Sequence, residues 1–428
     1  MAVQRLLTML LMCGAYSAAQ NPPPTLTTLY SFTCCTSYDG YDPVAPPTVG
    51  AGGVLYGTTS VGGRWGQGAV FSLTPPSSPG GAWTESILHS FHDVDGINDG
   101  INPNTRLVIG SGGVLYGTSY SGGDSNIGTV FSLTPPASPG GHWAEAVYSF
   151  SLGPPGGDDN GGQNPTGLTI SPTGILFGAT KNGGIEHPSN YGTVFALVPP
   201  ASPGGSWTES VLHRFAAGET DGCYPGAGVT GSGGVLYGTT EDCGSAGYGT
   251  VFMLAPPAIP GGAWTETVLY SFGATNDADG SCPFTGVVIG GDGVLYGTTA
   301  YGGSSGYGTV YSLTPPASAG GPWTEAVLHD FPFASGASHP FAWPGPLTVG
   351  EDGTIYGTTE YGGGVGAAFA LKPPTAPGQT WTEILLHKFT GGADGVFPTG
   401  LTMGAGGVLY GTTQQGLGGF GTVFMLTE

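Results

Sequence analysis

A set of charged and aromatic residues stands out in this sequence because these positions vary where the residues beside them hardly change. Its members follow the recurring phrase LYGTT or lie in the loops next to it. Carboxylates, cations and aromatic rings brought together in a cleft are suited to binding a sugar or another polar organic ligand. The candidate binding residues are Arg64, Trp65, Tyr120, Lys181, Glu186, His187, Glu241, Asp242, Tyr301, His339, Trp343, Glu360, Tyr361 and Gln414.

A second kind of chemistry is suggested by the stretch DVDGINDG at residues 93–100. Carboxylate oxygens are the ligands that Ca²⁺ prefers, so Asp93, Asp95 and Asp99 are candidates for a calcium site. The stretch lacks the spacing and the final glutamate of a helix-loop-helix calcium site, and Asp-Gly is also a common turn dipeptide. We therefore predict no cofactor, and calcium stays open as the alternative.

The cysteines offer a covalent link in the same region of the chain. Five follow residue 19, at positions 34, 35, 223, 243 and 282, and none forms a CxxC pair that would indicate a zinc ribbon. A disulfide between Cys223 and Cys243 would join two loops near the candidate residues. A bond between Cys243 and Cys282 is the competing arrangement.

An internal repeat supplies the elements that must position these residues. The aromatic residue of the LYG triplet recurs at Tyr56, Tyr116, Phe177, Tyr237, Tyr296, Tyr356 and Tyr410, with spacings of 54 to 61 residues. Each unit holds four runs rich in Val, Leu, Tyr, Phe and Thr, bounded by Gly, Pro or Asp, which is typical of strands and turns. Three short connections within a unit and a longer one to the next are typical of propeller blades.

The fold class is therefore predicted as all-β, a seven-bladed β-propeller with four-stranded antiparallel blades. We label the strands A to D from the channel outwards. The last unit stops after strand C, and residues 25–32 resemble the missing strand D. We expect this N-terminal strand to complete the last blade and close the ring, which would leave no open sheet edge. The B–C and D–A loops would then emerge on one face, at the mouth of the central channel.

The polar residues that recur in every unit are predicted to be structural. One slot of strand D accepts either histidine or tyrosine, which indicates packing with a polar tip and neither catalysis nor metal binding. The tryptophans that open strand D are predicted to cover the rims of the blades.

Composition limits the partners. Only 8% of the residues are charged and the formal net charge is −21, so the chain offers no basic surface for nucleic acid or anionic membranes. Arg5, a short apolar run and Ser17-Ala18-Ala19 predict a signal peptide over residues 1–19. Residues 20–428 would form a single propeller, secreted to the extracellular space as a monomer, with no membrane span.

The repeated pattern GVLYGTT…GTVFSLTPP…WTE.VL.SF resembles the tandem repeat of the GloVer family, from Gloeobacter and Verrucomicrobia. The resemblance covers nearly all of residues 25–428. It implies export, repeat architecture and often a surface anchor, for which this chain offers no sorting tail. It implies no particular reaction.

Two functions remain open. The first is a secreted protein that binds a glycan, a small molecule or a protein through the loop-rich face at the channel mouth. The second is an enzyme with its site at the same mouth, a hydrolase, lyase or cyclase. No arginine cluster of the sialidase type occurs, so the catalytic residues are unknown and binding is favoured. A glycosidase pair could be drawn from Glu186, Glu241, Asp242 and Glu360.

Overall fold

The computed structural model describes residues 24–33, 38–78, 80–94, 97–138, 140–151, 162–184, 190–200, 205–259, 261–273, 277–318, 320–332, 342–376, 378–416 and 418–427. Several sequence predictions fall outside them: the signal peptide at 1–19, Cys34, Cys35, Asp95, Glu186, His187, His339 and the side chain of Asp93. None of the described helical segments is long and apolar enough to cross a membrane.

Seven antiparallel sheets follow one another along the chain, each in the order A-B-C-D. In blades 1 to 7, strand A spans Thr48–Val49, Ile101–Pro103 with Val108–Ile109, Gln163–Ile170, Thr230–Ser232, Val288–Ile289, Thr348–Val349 and Val396–Met403. Strand B spans Leu55–Thr59, Leu115–Ser121, Leu176–Asn182, Val235–Thr240, Leu295–Thr299, Ile355–Thr359 and Leu409–Gln415. The predicted seven-bladed β-propeller is confirmed.

The outer half of each blade has the same regular pattern. Strand C spans Ala69–Thr74, Thr129–Thr134, Thr193–Val198, Thr250–Ala255, Thr309–Thr314, Ala367–Lys372 and Thr422–Thr427. Strand D spans Thr84–Ser90, Ala144–Ser149, Thr208–Arg214, Thr265–Ser271, Thr324–Asp330, Thr382–Lys388 and, for blade 7, Thr25–Ser31. The described helical segments are three-residue 3₁₀ turns, such as Ala51–Gly53 between strands A and B.

The ring is closed by the N-terminal strand, as the sequence predicts. Thr25–Ser31 pairs antiparallel with Thr422–Thr427, so that Thr25 lies opposite Thr427 and Ser31 opposite Thr422. Both strands of this seam therefore have hydrogen-bonded neighbours. The N-terminal strand also joins blade 7 to blade 1, because Phe32 packs edge-on against Phe71 at 5.1 Å between ring centres.

The blades adhere through a repeated aromatic contact. Phe91, at the end of strand D in blade 1, packs edge-on against Phe131 of strand C in blade 2, with ring centres 4.9 Å apart. Strand B must pass directly beneath that ring, and a Cβ on Gly117 would lie only 2.4 Å from the tip of Phe131. This close approach explains the glycine of the LYG triplet.

The tryptophan at the start of strand D has a partner in the preceding blade. Trp143 of blade 2 contacts Tyr56 of blade 1 at 6.2 Å between ring centres, and Trp207 contacts Tyr116 at 6.4 Å in the same way. These rings link adjacent blades as well as covering the rim.

The B–C and D–A loops of a blade lie side by side. Gly40–Tyr41 pairs with Val61–Gly62 in blade 1, and Gly222–Cys223 pairs with Asp242–Cys243 in blade 4. These small ladders fasten the entry loop of each blade to its own B–C loop. The two sets of loops therefore share one face of the ring.

Candidate functional site

The Asp-Gly aspartates of the D–A loops form a structural latch. Asp99 accepts a hydrogen bond from the His92 backbone N–H at 2.8 Å, and its other oxygen lies 3.0 Å from His89 Nε2. In blade 7, Asp39 likewise accepts from the Tyr30 hydroxyl at 2.9 Å. The latch recurs as His213–Asp221, Tyr270–Asp279 and His387–Asp394. The position in strand D that accepts His or Tyr thus requires a side chain whose polar end faces this carboxylate.

The glutamate of the WTE motif reaches the latch of the preceding blade. Glu145 Oε1 lies 3.1 Å from His89 Nε2, and the Tyr148 hydroxyl donates to Glu209 at 2.9 Å. Burial, and then the charge of Asp279 in the neighbouring latch, raise the pKa of Glu325 to about 7. The carboxyls of Glu85, Glu145 and Glu266 have pKa values raised to about 7, mainly by burial. These perturbed carboxyls belong to the blade bodies.

One latch carries an additional ligand atom. His92 Nδ1 lies 2.7 Å from Asp99 Oδ2, and the donor atoms of His89, His92 and Asp99 all lie within 4.8 Å of one another. Two imidazole nitrogens beside one carboxylate suit Zn²⁺ better than Ca²⁺, which prefers oxygen ligands. Asp99 is the member of the predicted calcium set whose side chain is described. Its contacts are those of the latch, and metal binding stays a prediction.

A ring of seven residues surrounds the channel mouth in an unusual conformation. One residue of each D–A loop has a positive φ of 44° to 61° and immediately precedes a buried proline. None of these seven is glycine. We call them the left-handed ring: Asp42, Asn102, Asn164, Tyr224, Cys282, Trp343 and Phe397. All seven side chains are partly or fully exposed.

The conformation of this ring is fixed by contacts between blades. The N–H of Tyr224 donates to the carbonyl of Tyr191 in blade 3 at 2.8 Å, and the N–H of Cys282 donates to Tyr248 in blade 4 at 2.9 Å. The proline that follows packs on the glycine before strand C of the preceding blade. A Cβ on Gly249, for example, would lie 2.6 Å from Pro283.

The variable residues after LYGTT face the left-handed ring across each blade. The N–H of Glu241 donates to Tyr224 O, and the N–H of Glu360 donates to Trp343 O, both at 3.0 Å. In blade 3 the strand pairing places Lys181 opposite Asn164, and in blade 7 it places Gln414 opposite Phe397. The sequence candidates and the left-handed ring therefore form two adjacent layers at the mouth.

Within these layers, the structure brings together an ion pair from two blades. Lys181 Nζ donates to both carboxylate oxygens of Glu241, at 2.7 and 2.8 Å. Both side chains are partly exposed, at 35% and 20%, so this pair could exchange its bonds for those of a polar ligand.

An aromatic cluster occupies the mouth between blades 5 and 7. Trp343 contacts Phe284, Tyr301 and Tyr361, with ring centres 5.9 to 6.3 Å apart. Tyr361 in turn contacts Phe397 at 5.2 Å. Burial, and then a hydrogen bond with Glu360, raise the pKa of Tyr361 to about 12. Trp343 Nε1 is buried and has no acceptor among the described residues.

The remaining candidates lie elsewhere on the face. The Arg64 guanidinium stacks over Trp65 at 4.8 Å, and Trp65 contacts His92 of the latch at 6.1 Å. The carbonyl of Tyr120 accepts a bond from the Asn164 amide at 2.9 Å. Asp242 pairs with Cys223 in the small ladder of blade 4.

Cys223 and Cys243 form a disulfide in that ladder, with Cα atoms 5.5 Å apart. This is the predicted pair, and the competing Cys243–Cys282 bond is absent. Cys282 is a free thiol in the left-handed ring. Burial, and then the charges of Glu241 and Asp242, raise its pKa to about 11, so the thiol is protonated at neutral pH and is a poor nucleophile.

Four residues of the mouth and the channel were not predicted from the sequence: Arg106, Tyr224, Asn164 and Phe397. Arg106 lines a cavity of about 320 Å³ on the channel axis, together with residues from every blade. The other three belong to the left-handed ring. The available signal was the proline that follows one residue of every D–A loop.

Three comparisons place the chain among known proteins. The model of the Gloeobacter/Verrucomicrobia repeat matches residues 15–202 and 155–342, which together exceed half of the chain. No curated protein matches this chain.

Among solved structures, a hypothetical selenium-binding protein from Sulfolobus tokodaii aligns with a TM-score of 0.57 and 11% identity, covering 90% of this chain and 89% of that one. A Thermus thermophilus protein described as an oxidoreductase (glucose dehydrogenase) gives a TM-score of 0.44 and 16% identity, covering 75% and 95%. Trypanosoma rangeli sialidase gives 0.42 and 11%, covering 95% and 60%. At these identities the likeness shows the fold alone.

Proposed function

The chain belongs to the Gloeobacter/Verrucomicrobia repeat family, and on this scaffold we propose that it binds a small polar organic ligand at the mouth of the propeller channel. The ligand would lie on the face shared by the B–C and D–A loops. A repeat scaffold carries its specific function on positions that differ between repeats. In this chain those positions are the left-handed ring and the residues after LYGTT.

The observation that carries the proposal is the left-handed ring. A non-glycine residue in this conformation costs roughly 1–3 kcal/mol, and glycine would remove that cost. Asn and Asp tolerate the conformation best, yet four of the seven members are Tyr224, Cys282, Trp343 and Phe397. A strained position that retains bulky side chains supports a role for those side chains in contacting a ligand.

The chemistry of the mouth suggests the class of ligand. The rings of Trp343, Tyr301 and Tyr361 offer an apolar wall, and the Nε1–H of Trp343, which has no acceptor among the described residues, offers a hydrogen-bond donor. The Lys181–Glu241 pair offers charged groups nearby. Aromatic walls with a few polar groups suit a mono- or disaccharide, or a heterocycle of similar size.

Export is part of the proposal. A disulfide such as Cys223–Cys243 persists in oxidising compartments and is rare in the cytosol. Together with the predicted signal peptide, the disulfide supports secretion. The ligand would then be one met outside the cell.

Replacing Trp343 with Ala tests the site. We expect calorimetric titration with glucose, N-acetylglucosamine and cellobiose to show binding of at least one sugar to the unaltered protein. The variant should bind that sugar roughly tenfold more weakly or worse, because a ring-stacking contact and a donor are lost. Ile259→Ala is the matched control, since Ile259 is 74% exposed in the C–D turn on the opposite face. Equal affinity in Trp343→Ala would contradict the site.

The enzyme alternative is tested with the same sugars. Glu241→Gln and Glu360→Gln remove the two carboxylates that face the left-handed ring. If the protein is an enzyme, it should convert one of the sugars and lose that turnover in at least one of these variants. As a binding protein, it should give unchanged sugar by mass spectrometry in all forms.

A further inference from the structure

The central channel is lined by a ring of seven positions, one in each blade, that are occupied mostly by glycine. We call this position the slot. In each blade it comes immediately before an apolar residue that lies in strand A or just ahead of it, such as Leu107 in blade 2. It is occupied by Gly167, Gly228, Gly286 and Gly400 in four blades and by Pro46 and Pro346 in two. A Cβ on Gly228 would lie 2.6 Å from the backbone of Gly167, and one on Gly400 would lie 2.9 Å from Pro346. Blades 3 and 4 therefore touch backbone to backbone here, and blade 7 touches the proline ring of blade 6.

Blade 2 departs from this rule with an arginine. Arg106 occupies the slot and is the one charged residue among those that line the axial cavity of about 320 Å³. Its Nε donates to Thr48 Oγ1 of blade 1 at 3.3 Å, which turns the side chain along the channel wall. No described carboxylate forms an ion pair with its guanidinium.

The position of Arg106 favours an anion. Its side chain is exposed to the cavity, and partial desolvation by the surrounding blades lowers the pKa of its guanidinium. A cation that lines a largely apolar cavity and has no ion-pair partner among the described residues is free to pair with a bound anion. The planar guanidinium fits a carboxylate or a phosphate through two parallel hydrogen bonds.

The remaining wall of the cavity restricts the ligand further. Phe284, Leu168, Leu347 and Pro46 make much of it apolar, and the buried Oδ1 of Asn104 has no partner among the described residues. The threonine hydroxyls here are paired with neighbours, as Thr105 is with Thr118 at 2.8 Å. A cavity of this size and lining admits a compact organic molecule with one anionic end.

The cavity lies next to the channel mouth. Phe284 lines the cavity and also contacts Trp343, with ring centres 6.2 Å apart. Gly226 lines it too, and a Cβ there would lie 2.7 Å from Glu241 Oε1. A molecule held in the mouth could therefore extend one end into the channel.

We propose that the channel binds the anionic end of a small organic molecule, a carboxylate or a phosphate, and that Arg106 holds it through its guanidinium. This inference rests on the proposed function and specifies its ligand as an anion. The arginine would fix the anionic end on the axis, while the rings of the mouth contact the rest of the molecule.

Titration calorimetry with benzoate, glucose 6-phosphate and inorganic phosphate tests the inference. We expect benzoate or glucose 6-phosphate to bind the unaltered protein. Arg106→Gly should weaken binding roughly tenfold or more, the loss expected for a charge-assisted hydrogen bond. This variant introduces the residue that four other blades carry, so it should fold. Arg106→Lys keeps the charge without the planar fork and should bind with intermediate affinity.

Lys372→Gln is the matched control, since it removes an exposed positive charge at the end of strand C in blade 6, away from the channel. The inference is overturned if neither organic anion binds at 10 mM, if Arg106→Gly binds as tightly as the unaltered protein, or if Lys372→Gln weakens binding equally. If inorganic phosphate binds and neither organic anion does, the inference that the ligand is an organic molecule is wrong. If the protein binds a sugar through Trp343 but binds none of the three anions, the proposed function is retained and only this inference is wrong.

Discussion

The glutamates of the WTE motif illustrate how a repeated residue can look catalytic and be structural. Burial and a nearby latch aspartate raise the pKa values of Glu85, Glu145, Glu266 and Glu325 to about 7, as active sites often do. Because these carboxyls recur in the blade bodies, their perturbation follows from packing one blade against the next. Their consequence concerns stability.

We expect the melting temperature to fall as pH rises from about 4.5 to about 7. Each of these carboxyls has an ordinary pKa of 4.5 when unfolded and about 7 when folded. Over that window the folded state holds protons that the unfolded state has released, so raising the pH favours unfolding. Scanning calorimetry across pH 5 to 8 measures the slope, and Glu325→Gln, which cannot ionise, should flatten it.

Glu351→Gln serves as the control, because Glu351 is exposed in the turn between strands A and B of blade 6. It should leave the slope unchanged. A melting temperature that is constant or rises between pH 5 and 7 would show that these carboxyls do not govern stability.

At the scale of elements, the N-terminal strand is the one whose removal should be most informative. Thr25–Ser31 covers the edge of strand C in blade 7, and Leu26 packs against the buried core there. A chain without residues 24–31 should melt at a lower temperature. It should also self-associate, because the uncovered strand Thr422–Thr427 offers an open edge.

Calorimetry and light scattering after size exclusion check both effects. A synthetic peptide of residues 24–33 should restore the monomer by adding the missing strand, whereas a scrambled peptide of the same composition should not. If the shortened chain melts like the full one, the strand contributes nothing to closure.

The strands could be predicted from the sequence because the repeat displays each of them seven times. The conformation of the left-handed ring could not, because residue types as varied as Asp42, Tyr224 and Trp343 do not indicate a positive φ, and the proline that follows marks only the position. Arg106 was hidden for another reason. In blades 3, 6 and 7 there is one residue fewer between the proline that follows the left-handed ring and the apolar residue that follows the slot. The seven slot positions therefore do not align in the sequence, and they can be matched only in the structure.

The same limit applies to the candidate site. Variation after LYGTT predicted Lys181, Glu241 and Glu360 as candidates, and in the structure these residues lie against the left-handed ring. It could not show that Lys181 and Glu241, which lie 60 residues apart, form an ion pair. Contacts between blades depend on the curvature of the ring, and local patterns do not encode it.

At the scale of the whole molecule, the aromatic contacts among the described residues join each blade to the one before and the one after. Such chains gain stability one interface at a time. Here the seventh interface, Phe32 on Phe71, is also provided, so that no blade is terminal. In a chain with a net charge of −21, Arg106 is the one charged residue among those that line the axial cavity.

The two strands of the seam are synthesised at widely separated times. Thr25–Ser31 leaves the ribosome long before its partner, Thr422–Thr427, exists. At ~5–20 residues per second the interval is about 20 to 80 s. During that time the early strand has no sheet to join, and the last blade cannot form until Thr422–Thr427 has been made. The ring therefore stays open until that strand has been synthesised, whatever the earlier blades have formed by then.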